Sequence, residues 1–190
     1  MMTARSIIFF TLILLPSVLF SQKVRVRIDS DIHAGSAVIT VIKGSYEITV
    51  FGGSSFVARE GDPLIITCYG ERIAVKTRNT PGFICDSVAL KGSTGKDLFS
   101  LRVMGNNSQK RIYPGDLECS SDLRNLLFIS VCNIEDYVAG VVMSEGGTGK
   151  NEEYFKTQAV IARTYTYKYF ERHLIDRYNL CDNIHCQAYM

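Results

Sequence analysis

One carboxyl group stands where its position could give it a chemical role. Glu145 ends a strongly apolar helical pattern and directly precedes the sequence Gly-Gly-Thr-Gly. A carboxyl at the C-terminus of a helix feels the negative end of the helix dipole, and apolar neighbours also disfavour its ionised form, so both effects raise its pKa. A raised pKa suits a general acid that works near neutral pH. The alternative is a solvated helix-end residue, and position alone does not separate the two.

A second group of reactive side chains lies near the end of the sequence. It consists of His173, Cys181, His185 and Cys186. Two cysteines and two histidines form a tetrahedral zinc set, and four protein ligands leave no open position, so such a zinc would be structural. The spacing does not follow the common zinc-finger patterns, and Cys181 and Cys186 could instead close a small disulfide loop. The sequence leaves both alternatives open.

Two predicted helices flank Glu145. Asn133 is a good N-cap, acidic residues occupy the following turn, and apolar residues then recur at helical spacing, which predicts a helix over residues 133 to about 144. The glycines end this helix because they tolerate the left-handed conformation of a helix terminus. Asn151 begins a second predicted helix, which extends to about residue 173.

The chain before Asn133 has the pattern of strands. Lys23–Ile28 alternates apolar and basic residues with a period of two, as a half-buried strand does. Further strands are predicted over residues 37–42, 46–51, 64–68, 72–76, 98–104 and 126–131. We therefore predict an α+β fold, in which a β-rich region, residues 22–132, is followed by a helix-loop-helix catalytic segment, residues 133–190.

The first 21 residues are typical of a secretory signal. Arg5 precedes an apolar run over residues 7–20, and Ser21 offers a small residue at the cleavage point. The run is shorter than the roughly 20 residues that span a bilayer and contains Pro16, which argues against a membrane anchor. We therefore expect an exported protein, periplasmic or otherwise extracytoplasmic, from which the signal peptide, residues 1–21, is removed.

Charge and length narrow the class of protein further. Removing residues 1–21, which contain one basic residue, leaves 169 residues with 20 basic and 19 acidic side chains. This balance gives no net field that would attract nucleic acid, so a nucleic-acid partner is not expected. The length suits one domain, with room for a small satellite. All six cysteines follow residue 21, and an oxidising compartment would favour disulfides whose pairing the sequence does not assign.

Residues 133–145, with the sequence NIEDYVAGVVMSE, and residues 156–165, with the sequence KTQAVIARTY, together resemble a known family. They are similar to the stage II sporulation protein D family of peptidoglycan lytic transglycosylases. In that family a motif close to L-E-D-Y-L-x-G-V-V-x-x-E is followed, across a short loop, by K-A-Q-A-V-A-A-R-T-Y. The resemblance extends over roughly residues 133–189 and is loose before them.

The resemblance implies that Glu145 is the catalytic residue. It would protonate the glycosidic oxygen between N-acetylmuramic acid and N-acetylglucosamine, and then take the proton from the C6 hydroxyl of the muramic acid as that hydroxyl closes a 1,6-anhydro ring. Ordinary glycosidases use two carboxyl groups, whereas this reaction needs one carboxyl and no cofactor. The substrate would be the glycan strand, in cell-wall remodelling or sporulation.

The resemblance also implies roles for residues around Glu145. Substrate-binding roles fall on Gln158, Arg163, Gln187 and Tyr189. Arg163 lies about 140° around the helix from Gln158, so the four motif residues Lys156, Gln158, Arg163 and Tyr165 cannot all point at one ligand. For two other motif residues, Lys156 and Tyr165, a structural role is expected instead. Some members of the family bind zinc through a group such as His173, Cys181, His185 and Cys186.

Two further expectations come from the resemblance. Some relatives are described as enhancers of a cell-wall amidase, so the alternative function is a non-catalytic glycan-binding protein that has an amidase as its partner. Members of the family also continue well beyond the positions of Gln187 and Tyr189. We therefore expect the sequence to be truncated at its C-terminus, with residues 133–190 holding only the first part of the catalytic segment.

Overall fold

The computed structural model describes residues 22–51, 53, 55–105 and 109–189. The predicted signal peptide, residues 1–21, lies outside the described residues. No helix in the described part of the chain is both long enough and apolar enough to cross a membrane.

Thirteen strands and two helices make up most of the described chain. In chain order they are β1 (Lys23–Ile28), β2 (Ser36–Lys43), β3 (Ser45–Val50), β4 (Phe56–Arg59), β5 (Pro63–Tyr69), β6 (Arg72–Thr77), β7 (Phe83–Cys85), β8 (Ser87–Gly92), β9 (Leu98–Val103), β10 (Arg111–Pro114), β11 (Asp116–Asp122), β12 (Asn125–Asn133), α1 (Ile134–Gly146), α2 (Glu152–Lys168) and β13 (Leu180–Cys181). A short 3-10 turn, Leu174–Asp176, lies between α2 and β13.

The strands form two sheets that share one core. The seven-stranded sheet has the order β13-β1-β12-β11-β8-β3-β4, and the six-stranded sheet has the order β10-β9-β2-β5-β6-β7. In β1 the alternation of the sequence becomes an alternation of burial, with Val24, Val26 and Ile28 facing the core. An edge-to-face contact between Tyr46 and Phe99, with ring centroids 6.2 Å apart, joins the two sheets. Burial of these apolar faces therefore holds the sheets together.

Helix α1 continues directly from strand β12. Asn133 is the last residue of β12 and also the N-cap of α1, where its side chain accepts a hydrogen bond of 2.8 Å from the backbone N–H of Glu135. Asn151 caps α2 in the same way, accepting from the N–H of Tyr154 at 2.9 Å. Both caps satisfy N–H groups that a helix leaves without internal partners.

After α2 the chain returns to the seven-stranded sheet. Strand β13 lies parallel to β1, with Leu180 beside Val26. The following residues lead to Tyr189, which is 1% exposed. Its ring lies between those of Tyr113 and Tyr137, with centroid distances of 5.8 and 4.9 Å. The end of the described chain is therefore packed into the core, against α1.

The predicted fold class was wrong. The described residues form a β-rich fold, 45% of them in strands and 20% in helices, with a helical part towards the C-terminus, rather than an α+β fold ending in a helix-loop-helix catalytic segment. Two physical reasons explain the error. Strands β4, β7 and β10 have only three or four residues, too few for a period of two to identify them, and the second helix ends at Lys168, after which the chain rejoins the sheet.

Asp97 fixes the start of β3 and the turn before β9. Its carboxylate, 1% exposed as a residue, accepts from the N–H of Ser45 at 3.1 Å and from the N–H and hydroxyl of Thr94 at 2.6 and 2.8 Å. Gly44 has φ +82° and passes so close that a Cβ there would lie 2.0 Å from Asp97 Oδ1. Burial by itself would raise the pKa of Asp97, but the hydrogen bonds outweigh it, and the pKa is lowered from its ordinary 3.8.

We expect Asp97→Asn to destabilise the fold at neutral pH by about 1–3 kcal/mol, because an amide NH₂ would face backbone donors in a buried site. A lowered pKa contributes stability above the unfolded value of 3.8, and this stability is lost as pH falls through the folded pKa. Thermal unfolding from pH 7 to pH 2.5 measures both effects. The wild type should lose more stability below pH 4 than the variant, and parallel curves would contradict the assignment.

Candidate active site and metal centre

Glu145 lies near the C-terminal end of α1, on the surface, and its carboxylate accepts two hydrogen bonds. Oε1 accepts from the backbone N–H of Ala188 at 3.0 Å, and Oε2 accepts from Nε2 of Gln158 at 3.3 Å. Three separate segments of the chain therefore meet at this carboxylate. The apolar surroundings predicted for it were wrong, because the side chain is exposed and has polar partners.

The close approach of α2 to α1 depends on a glycine, Gly146. A Cβ on Gly146 would lie 3.0 Å from the Phe155 ring, so Gly146 allows the two helices to come together directly after Glu145. Gly147 follows with φ +66° and ends α1. Gln158 lies three residues after Phe155, on the same side of α2, and this places its amide against the carboxylate.

Arg163 does not join Gln158 at Glu145. Its Nε donates to Oε1 of Glu135 at 3.2 Å, and its Nη2 donates to Oε2 of the same carboxylate. This hydrogen bonding raises the pKa of Arg163. Glu135 lies in the first turn of α1, about 15 Å along the helix from Glu145 at 1.5 Å per residue. Arg163 therefore ties α2 to the opposite end of α1.

The two motif residues expected to be structural also have partners within the protein. Lys156 lies 2.9 Å from a carboxylate oxygen of Glu152 and 3.0 Å from one of Glu153, all on the surface of α2. The hydroxyl of Tyr165 accepts from Arg172 at 2.7 Å. Neither side chain hydrogen-bonds Glu145 in the described structure.

Gln187 and Tyr189 lie inside the protein, on either side of Ala188. Gln187 is 5% exposed, and its Oε1 accepts from the hydroxyl of Tyr137 at 3.3 Å and from that of Thr166 at 3.2 Å. Burial raises the pKa of the Tyr189 hydroxyl. These two of the side chains predicted to bind substrate are therefore packed away from the surface, and the backbone between them reaches Glu145. Sequence reasoning missed this N–H, because every residue except proline has one.

The four predicted metal ligands do come together. The donor atoms of His173, Cys181, His185 and Cys186 all lie within 4.8 Å of one another. Cys186 Sγ lies 3.5 Å from His173 Nε2, and His185 Nδ1 lies 3.7 Å from the Sγ of both cysteines. Zinc bonds of about 2.3 Å to sulfur and about 2.0–2.1 Å to nitrogen, at tetrahedral angles, give sulfur–nitrogen separations of about 3.6 Å. The residues therefore fit a tetrahedral zinc ion.

Groups around the cluster orient its members. His173 Nδ1 lies 3.4 Å from a carboxylate oxygen of Asp176, so Nε2 is the nitrogen that faces Cys186. Histidines that bind a metal through one ring nitrogen commonly donate the N–H of the other ring nitrogen to a carboxylate. Burial, followed by the hydrogen bond with Cys186, raises the pKa of Cys181 to about 11. All six cysteines, which lie within the described residues, are free thiols here.

Residues 123–190 match the family model described as Stage II sporulation protein, SpoIID. This match confirms the similarity to the stage II sporulation protein D family for the part of the chain that holds α1, α2 and the Cys/His cluster, and it links that part to sporulation and the cell wall. No curated protein and no solved structure matches the chain.

We expect Arg163 to act as an ion-pair partner of Glu135. Both side chains are partly exposed, so the coupling free energy in a double-mutant cycle of Glu135→Gln and Arg163→Gln should be about 0.2–1 kcal/mol. Chemical denaturation of the four proteins measures it. A coupling free energy that does not differ from zero would contradict the ion pair.

Proposed function

We propose that this protein is a peptidoglycan lytic transglycosylase in which Glu145 is the single catalytic acid and base. The observation that supports the proposal is the exposure of the Glu145 carboxylate together with the kind of groups that hydrogen-bond to it. Glu145 is exposed at the end of α1, and its described hydrogen-bond partners are an amide side chain and a backbone N–H. Neither partner exchanges a proton near neutral pH. A reaction at this site would therefore depend on one carboxyl group.

One carboxyl suffices when the nucleophile belongs to the substrate. In the first step Glu145 gives its proton to the glycosidic oxygen as the bond from C1 of N-acetylmuramic acid to that oxygen breaks. The ionised Glu145 then takes the proton of the C6 hydroxyl, and the C6 oxygen bonds to C1. The carboxyl is regenerated in its acid form, and the glycan ends in a 1,6-anhydro ring. In the ionised state between these steps, Gln158 and Ala188 would hold the carboxylate by donating to it.

The proposal requires the protein to meet peptidoglycan outside the cytoplasm. The predicted signal peptide, residues 1–21, supports export. The family match to residues 123–190 supports a role in the cell wall.

Glu145→Gln should lower the production of 1,6-anhydromuramic ends by at least about 100-fold, since general acid–base catalysis contributes factors of 10²–10⁴. The measurement is mass spectrometry of peptide-stripped glycan strands after incubation with the complete protein. Glu152→Gln is the matched control, because Glu152 is an exposed carboxylate on α2 that pairs with Lys156.

Glu152→Gln should retain wild-type activity. Anhydro products that persist in Glu145→Gln, or that the wild type never forms, would refute the transglycosylase assignment.

The second candidate is a non-catalytic enhancer of a cell-wall amidase. One observation favours it: apolar side chains lie exposed on the helices that carry the site, including Met143, which is 79% exposed, and Val160 and Ile161. Exposed apolar side chains on neighbouring helices are a feature of partner-binding surfaces. The same Glu145→Gln variant separates the candidates, because an enhancer would stimulate an added amidase equally with either residue at position 145.

We also propose that His173, Cys181, His185 and Cys186 bind one structural zinc ion. The fit of the sulfur–nitrogen distances to a tetrahedral site supports zinc, and the free thiols leave both cysteines available as ligands. Zinc in this position would hold the 3-10 turn, β13 and the residues after it together. The chemistry at Glu145 does not require it.

Purified protein should contain one zinc ion per chain by elemental analysis, and Cys186→Ser should contain much less. Chelation should lower the melting temperature by at least about 5 °C, because an ion that binds only the folded state stabilises that state. Cys68→Ser is the control, since Cys68 is a free thiol outside the cluster. Metal-free protein whose Cys181-to-Cys186 peptide gains two hydrogen atoms on reduction would establish the disulfide instead.

A further inference from the structure

The geometry points to Thr166 and Gln187 as positioning residues for Glu145, acting through the backbone N–H of Ala188. This inference rests on the proposed function of Glu145 and adds to it two buried residues that do not touch the carboxylate themselves. The N–H of Ala188 is a hydrogen-bond donor to Glu145, at 3.0 Å. The orientation of this N–H is fixed by the residues on either side of it.

Gln187 fixes the peptide before Ala188 from inside the protein. The side chain is buried, and its Oε1 faces the hydroxyl groups of Tyr137 and Thr166. Thr166 is fully buried on α2, and Tyr137 is fully buried on α1. A buried amide without partners costs free energy, so Gln187 is restricted to the orientation in which these hydroxyls satisfy it. The two helices therefore hold one side chain between them.

Thr166 has a second possible acceptor, which makes its contact with Gln187 sensitive to change. Its hydroxyl lies 2.8 Å from the carbonyl oxygen of Ala162 and 3.2 Å from Oε1 of Gln187. A hydroxyl carries one hydrogen, so this hydrogen is shared between the two acceptors. Removing the hydroxyl would leave Tyr137 as the remaining described donor to Gln187.

Tyr189 fixes the chain after Ala188. Its ring packs between Tyr113 and Tyr137, so residue 189 cannot move without opening the core. Ala188 itself is only partly buried and lies between these two anchored side chains. The contacts of Gln187 and Tyr189 thus direct the N–H of Ala188 at Glu145. The contact between Thr166 and Gln187 can be removed by a substitution that leaves every aromatic ring in place.

The hydrogen bond from the N–H of Ala188 matters for catalysis because Glu145 is exposed. A surface carboxylate samples several rotamers, and each hydrogen bond restricts that sampling. Catalysis by one carboxyl that first gives and then takes a proton depends on its orientation, and a displacement of about 1 Å can cost about 100-fold in rate. The N–H of Ala188 and the amide of Gln158 restrict different oxygens of the same group.

The test compares Thr166→Val with Thr164→Val. Both substitutions remove a hydroxyl that donates to the carbonyl four residues earlier in α2, at 2.8 Å in each case, but Thr164 is exposed and has no described contact with Gln187. The first measurement is hydrogen exchange of the Ala188 amide by NMR, which needs no activity. Exchange should be at least about fivefold faster in Thr166→Val, because the hydrogen bond opens more often, and unchanged in Thr164→Val.

The second measurement is steady-state cleavage of glycan by the complete protein. Thr166→Val should lower kcat about tenfold with KM within about twofold of the wild type, and Thr166→Ser should restore kcat, because it restores the hydroxyl. If Thr166→Val does not fold, judged by circular dichroism, Tyr137→Phe replaces it and removes the other donor. Glu145→Ala calibrates the exchange measurement, because it removes the acceptor.

The outcomes are distinct. Unchanged exchange of the Ala188 amide in a folded Thr166→Val protein overturns the positioning role, whatever the activity. Faster exchange with unchanged kcat in an active protein also overturns it, because the contact would then not serve catalysis. A wild type that never cleaves glycan refutes the proposed function, and the exchange measurement still shows whether Thr166 and Gln187 hold the N–H at Glu145.

Discussion

The return of the chain from α2 to the edge of the seven-stranded sheet is the constraint on which both sites depend. Asn179 begins it: its side chain accepts from the N–H of Arg25 at 2.8 Å and donates to the carbonyl of Phe170 at 2.9 Å. Asp182 continues it by accepting from the N–H groups of Asp29 and Ser30. These contacts fix the residues on both sides of β13, so the segment after α2 keeps one path along the edge of the sheet.

Each site uses that path differently. The Cys/His cluster takes three of its four residues from it directly, and its remaining member, His173, follows the end of α2 by a few residues. The carboxylate of Glu145 receives only a backbone N–H from the same path, two residues beyond Cys186. One short stretch of chain therefore serves a candidate metal centre through its side chains and a candidate active site through its main chain.

The sequence predicted local structure well where local physics decides it. Strand β1 was predicted at its observed bounds because its alternation is clean, and both helix starts were predicted because Asn133 and Asn151 are caps. The Cys/His cluster was predicted because side-chain chemistry identifies ligands before geometry is known. Strand pairing and the burial of Gln187 were not predictable, because they depend on contacts between residues far apart in the chain. The same is true of the Ala188 N–H, since a peptide group has no sequence pattern of its own.

The direct continuation of β12 into α1 limits how this part of the chain can change length. Asn133 is paired with Lys23 in the sheet and caps the helix that ends at Glu145, so no residue separates the ladder from the helix. One residue inserted or deleted in β12 would turn the following side chains to the opposite face of the sheet, and one added in α1 would rotate Glu145 by about 100°. Natural relatives should therefore differ in length outside the stretch from β12 to Glu145, while the number of residues from β12 to the carboxylate stays constant.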